Sequence, residues 1–144
     1  MSLVCRFILL LGFSLLHVGC GPSGPPRAEV SGVVTLNGQP VSEGSINFFP
    51  TEGNTGPEAG GAIRDGKYHI PRAQGPVLGK NRVELRSFQK SGRRIQDPTA
   101  PPGTMTEEIN NVFPAEFNRD SKLVRDIQPG KNDLPFELEA AAGK

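Results

Sequence analysis

The chain is 144 residues long, room for one ordinary domain and too short for two with separate cores. Its 16 Lys and Arg stand against 15 Asp and Glu, so no charge excess points to nucleic acid, and none is expected as a partner. The 18 glycines and 14 prolines make up about 22% of the residues, a turn-rich composition just under the roughly 25–30% that marks disorder.

Residues 1–19 form a unit of their own. One cation, Arg6, precedes an apolar run from Phe7 to Leu16, and His17-Val18-Gly19-Cys20 follows. That is the layout of a signal peptide. A run of about ten apolar residues is half of what a membrane-spanning helix needs, and Gly21-Pro22-Ser23-Gly24-Pro25-Pro26 ends it at once. Gly19-Cys20 resembles the bacterial lipobox, in which the cysteine is acylated, carrying fatty acids such as palmitate, and becomes the first residue after cleavage. Its leucine, Leu16, stands one place further from the cysteine than is usual. An ordinary secretory signal with an incidental Cys20 is the competing reading.

Only Cys5 and Cys20 occur, so the exported part has no disulfide and must be stable through its core. From Cys20 onward 26 of 125 residues are Leu, Ile, Val or Phe, with 15 charges of each sign, which suits a small folded domain. Residues 20–27 read as the lipidated cysteine and a Gly/Pro linker, and residues 28–140 as the domain.

From Ala28 short runs of Val, Ile and Phe recur about every ten residues, separated by Gly, Pro, Asn and Asp, the signal of an all-β fold. Glu29 to Leu36 is the first strand, closed by the turn Asn37-Gly38. Ser45 to Phe49 is the second, closed by Pro50. A glycine-rich loop over Thr51 to Gly60 leads to Ala62–Arg64 and Lys67–Ile70, two strands around Asp65-Gly66. Arg82 to Phe88 alternates most clearly, with Val83 and Leu85 on one face and Arg82, Glu84 and Arg86 on the other. Leu123 to Ile127 and Leu134 to Leu138 are the last two strands. Arg125 falls on the inward face of the former, which places that strand at an edge or on a bulge. Val34, Ile46, Phe48, Val83, Leu85, Phe136 and Leu138 are the expected core.

Gln89 to Asp120 is one long insertion. Its first half is polar, with Pro98, Pro101 and Pro102, and is expected to be a mobile loop. In its second half Met105, Ile109, Val112 and Phe113 recur at helical spacing behind Thr104 and Glu107, which have the spacing of a capping box. The same residues serve equally an extended segment whose Phe113 and Phe117 plug one end of the fold.

Val30-Ser31-Gly32-Val33-Val34-Thr35 with Asn37-Gly38-Gln39-Pro40-Val41, then Gly44-Ser45-Ile46-Asn47-Phe48, then Asp65-Gly66-Lys67-Tyr68-His69-Ile70, resemble carboxypeptidase regulatory-like domains. Pro114-Ala115-Glu116-Phe117-Asn118, Ser121-Lys122-Leu123 and the stretch from Asn132 to Leu138 extend the likeness to small bacterial lipoproteins built of one such domain. The resemblance implies a transthyretin-like (prealbumin-like) β-sandwich of about seven strands, and its motifs are turns and strand ends, informative on fold and not on activity.

Chemistry is sparse. Beyond the signal the only histidine is His69 and the only tyrosine Tyr68, too few for the histidine sets of transthyretin-like hydrolases or the two-Tyr, two-His iron site of intradiol dioxygenases. His69 reads as an ordinary strand residue and Tyr68 as a core or corner residue. Ser87-Phe88-Gln89-Lys90 has Ser-x-x-Lys spacing in a strand end and not at a helix start. The carboxylates lack calcium-loop spacing, and neither metal nor cofactor is expected. Lys90, Arg93 and Arg94 are the weak candidates for an anionic ligand. The expectation is a non-catalytic, membrane-anchored lipoprotein of the cell envelope, on the periplasmic face or at the outer membrane. It would bind an envelope protein or polysaccharide there. An accessory subunit of an exported enzyme, such as a hydrolase-associated domain, is the alternative.

Overall fold

The computed structural model describes residues 24–140. The signal peptide expected over residues 1–19, the acylation expected at Cys20 and the first part of the expected linker lie outside the described residues.

The fold is all-β. In chain order the strands are β1 (Glu29–Leu36), β2 (Gln39–Pro40), β3 (Glu43–Pro50), β4 (Ala59–Arg64), β5 (Lys67–Ile70), β6 (Gly79–Arg86), β7 (Phe88–Gln96), β8 (Met105–Asn111), β9 (Val124–Ile127), β10 (Lys131–Asp133) and β11 (Phe136–Leu138), with one 3₁₀ turn at Ala115–Phe117. Nine form one sheet, of order β10-β1-β5-β4-β3-β6-β9, with β2 and β11 also on β1; β7 and β8 form a second sheet of two. The two-residue turns arise where expected: Asn37 and Gly38 have φ of 51° and 75°, Asp65 and Gly66 of 49° and 72°, conformations that Asn, Asp and Gly reach most readily.

The sheet curls so that side chains from its first strands meet those from its last. Val30 and Val34 of β1, Ile46 and Phe48 of β3, Ile63 of β4, Val83 and Leu85 of β6, Ile127 of β9, and Phe136 and Leu138 of β11 belong to one buried cluster. All seven expected core residues are in it. Each is buried because a strand sends alternate side chains to opposite faces and the apolar set faces the concave side. Tyr68 lies in the middle, its ring centroid 6.4 Å from that of Phe48 and 6.2 Å from that of Phe136.

Several expectations need correction. The insertion carries neither a long mobile loop nor a helix over residues 104–113: Phe88–Gln96 and Met105–Asn111 pair as an antiparallel hairpin. Thr106, Ile109 and Val112 are β-branched, and so short a helix needs a surface to pack on, whereas the neighbouring strand supplies hydrogen-bonded pairing on both sides of a bulge. The extended alternative holds, and Phe113, 1% exposed, joins the core. The strand expected over Arg82 to Phe88 runs instead from Gly79 to Arg86, and Phe88 begins the next one. The strand expected over Leu134 to Leu138 is shorter, β11 at Phe136–Leu138, and a further strand, β10 at Lys131–Asp133, precedes it; both are parallel to β1, with Leu134 and Pro135 between them. Arg125 is on the edge strand β9, paired across from Asn81 on the concave side, with its guanidinium 4.8 Å from the centre of the Phe136 ring. The stack on an aromatic face lets a cation cap the core at a sheet edge.

Candidate functional site

Strand direction gives the fold two poles. Along the ladder β1, β4 and β6 run one way and β3, β5 and β9 the other. Glu29, Ile70, Ala59, Pro50, Gly79 and Ile127 therefore lie at one end, where the chain enters the fold. Leu36, Arg64, Glu43 and Arg86 lie at the other. The hairpin β7–β8 begins at Phe88, with only Ser87 between it and Arg86, so it leaves the body at the pole opposite the entering chain.

Its base is clasped by one amide. The Asn111 Oδ1 accepts from the backbone N–H groups of Ser87 (3.1 Å) and Phe113 (3.2 Å), and the N–H of Val112 donates to the Ser87 carbonyl at 2.7 Å. At the far end Asp97 Oδ1 accepts from the N–H and hydroxyl of Thr99 at 2.8 and 2.7 Å. The backbone bond, followed by the hydroxyl, holds this carboxyl below its ordinary pKa. Pro98, Pro101 and Pro102 fill the turn between the strands, the part of the insertion that does remain a loop.

No residue of either hairpin strand is buried. Among the described residues four large apolar side chains are exposed, and three are here: Phe88 at 66%, Ile109 at 60% and Met105 at 45%. Phe88 pairs with Asn111, Lys90 with Ile109 and Gln96 with Met105, and directly opposed residues share a face, so the three lie on one side of the arm.

Lys90, Arg93 and Arg94 are all on this arm, Lys90 and Arg94 on one face, across from Ile109 and Glu107, and Arg93 toward Glu108 on the other. Lys90 Nζ is 3.0 Å from Glu107, Arg93 is 4.0 Å from Glu108 on the opposite face, and Arg94 donates to the Met105 carbonyl at 3.5 Å. Glu107 meets Lys90 and stands opposite Arg94 on one face, and Glu108 faces Arg93 on the other, so two glutamates offset the positive charge that the sequence concentrates.

His69 and Tyr68, adjacent in β5, take opposite faces. His69 is exposed on the convex side, and Tyr68 is buried and donates its hydroxyl to the Leu134 carbonyl. Burial raises the phenol pKa, the Asp133 carboxylate adds to the rise, and the Arg125 guanidinium opposes it. The Ser87 hydroxyl is buried without a hydrogen-bond partner, while Lys90 Nζ turns to Glu107, so the Ser-x-x-Lys spacing assembles no nucleophile and base.

The convex face of β6 carries a charge group legible in the sequence only as alternation. Glu84 accepts from Arg82 at 2.5 Å and from Arg86 at 3.0 Å, and Arg82 also lies 4.9 Å over the Phe49 ring of β3. At the entry pole Lys80 is hydrogen-bonded to Glu52, which raises the ammonium pKa. The arm is hidden in the sequence because Gly92 and two Arg interrupt the alternation of β7. The usable signal was β-branching in residues 106–112.

No family model, no curated protein and no solved structure matches the chain.

Proposed function

We propose that this chain is a non-catalytic binding module of the cell envelope, anchored through acylated Cys20. We take its curled sheet as a carboxypeptidase regulatory-like domain of transthyretin-like type. The observation that carries this reading is the two-pole layout: the chain enters at one end, and an arm with exposed Phe88, Ile109 and Met105 projects from the other. An anchor at the first pole leaves the second turned outward, toward whatever the module binds.

The arm favours an envelope protein over a polysaccharide as that partner. Among the described residues β8 pairs with β7 alone, so its outer edge is open to an added strand. β7 is guarded by a bulge between Lys90 and Arg94 and by three cations. β8 is regular and has neither Lys nor Pro.

Two measurements test the reading. Palmitate supplied to growing cells should label the wild-type protein and not Cys20→Ala; absence of label in the wild type removes the anchor. A photo-crosslinking residue at Ile109 should give one discrete adduct in whole cells, and the same probe at exposed His69 should not. No adduct from Ile109, or the same adduct from both, removes the arm as the recognition surface.

A further inference from the structure

The entry pole bears a cleft of about 800 Å³ lined by Gly24, Pro25, Pro26, Arg27, Pro57, Arg72 and Ala73. Two guanidinium groups line it and no carboxylate does. Neither Arg27 nor Arg72 has a carboxylate within 4 Å among the described residues.

Arg27 is fixed in place: its Nη1 donates to the Gly75 carbonyl at 2.6 Å, and the strand segment it belongs to bridges Val77. Arg72 is exposed on the tight turn that the N–H groups of Gln74 and Gly75 close onto the carbonyls of Pro71 and Arg72, at 3.0 and 3.2 Å. A guanidinium has five donors in a flat fork that fits two oxygens of a phosphate, and one anchored bond leaves the others of Arg27 free. The three prolines form rigid apolar walls that give up no rotamer freedom on contact.

We propose that this cleft seats the phosphodiester headgroup of an anionic lipid in the membrane that carries the anchor. The inference rests on acylation of Cys20, and chain length is its second support. Gly24 is four residues beyond Cys20, and at roughly 3.3–3.6 Å per residue the cleft cannot lie more than about 14 Å from the acylated cysteine, whatever path the chain takes. A polyanion such as nucleic acid needs a longer row of cations, and a sugar would be met by an aromatic platform, which the cleft lacks. Docking there would hold the domain upright on the membrane, with the arm pointing away.

The test uses the full chain, purified from membranes and placed in nanodiscs of phosphatidylcholine or of phosphatidylglycerol. Trypsin cleavage after Arg72 is followed, with cleavage after Arg94 at the opposite pole as the internal standard. Each arginine near an anionic surface is worth about a five-fold bias, so cleavage after Arg72 should slow by about ten-fold or more in phosphatidylglycerol, with Arg94 unchanged. Arg27→Gln should return most of that protection, its melting temperature showing that the body is folded, and Arg27→Lys should keep part of it. Equal protection in both lipids overturns the proposal. Protection by millimolar glycerol phosphate in phosphatidylcholine discs also overturns it, because the cleft would then be a site for a soluble anion. A chain that does not stay with the discs at all fails at the anchor, which is a separate result and removes the proposal with it.

Discussion

The hydroxyl of Tyr68 donates a 2.8 Å hydrogen bond to the backbone carbonyl of Leu134, 66 residues away, and ties the centre of the sheet to the joint between its last two strands. Leu134 and Pro135 separate β10 from β11, and the Leu134 N–H in turn donates to the Ser31 carbonyl at 2.8 Å. Between the β10 and β11 ladders on β1, the joint is thus held to β1 through the Leu134 backbone and to β5 through one phenol.

Tyr68 should make the protein sensitive to alkali. Its pKa is raised in the fold, so the stabilisation is complete below the unfolded tyrosine value of about 10 and is lost as pH climbs toward the higher folded value. Tyr68 is the only tyrosine and the chain has no tryptophan, so phenolate absorbance reports this group alone. It should appear together with unfolding, well above pH 10. Tyr68→Phe should cost about 1 kcal/mol at neutral pH and flatten the alkaline limb. A phenolate that forms near pH 10 in the folded protein would contradict the burial.

Gly32 is opposite Tyr68 in the β1–β5 ladder, where a Cβ would collide with the Leu134 carbonyl and stand 3.1 Å from the Tyr68 ring. Gly32→Ala must push β10 and β11 away from β1, and a loss of about 2 kcal/mol or more in chemical denaturation is expected, the scale of overpacking. A variant as stable as wild type would show that the close approach is dispensable.

Phe136 is 1% exposed between the Tyr68 ring and the Arg125 guanidinium. Phe136→Ala should cost about 3–5 kcal/mol, since it opens a cavity and strips the cation of its aromatic support. A change within about 0.5 kcal/mol, the size of an ordinary surface substitution, would place Phe136 outside the core.

Glu84 is nearly buried, while its partners Arg82 and Arg86 are 32% and 47% exposed. Glu84→Ala should therefore cost about 1–2 kcal/mol, less than breaking a fully buried pair and more than losing a surface one. Glu84→Gln, which keeps the shape and an acceptor, should cost less. Equal urea midpoints for all three proteins would deny the clasp any weight.

The arm should open independently of the body. A two-stranded sheet without a buried residue has little to hold it shut, whereas strands of the main sheet open only with the core. Trypsin in dilute solution should cut first after Arg93 or Arg94, at the bulge, and leave the remaining fold intact by circular dichroism. First cleavage after Arg82 or Arg86 would refute this order.

Much of the main sheet was legible locally. Alternation in Val83–Leu85 and Ile46–Phe48 specifies which side chains face inward, because a strand has a period of two and only one side of this sheet is dry. Asn37-Gly38 and Asp65-Gly66 specify tight turns, because few other residues reach positive φ at little cost. Tertiary structure decided the rest. Residues 104–113 have a pattern that suits a helix or a strand, and the partner strand β7 settles it by supplying hydrogen bonds that no local preference encodes. Lys90, Arg93 and Arg94 are neighbours in sequence, yet the strand turns Arg93 away from the other two, and two glutamates of β8 offset them. Arg27 and Arg72 are 45 positions apart and share a cleft because the segment leading into the first strand and the turn after β5 lie at the same pole. Alternation and turn preference act between near neighbours, whereas strand partners, poles and clefts depend on contacts between distant segments that exist only once the sheet has closed.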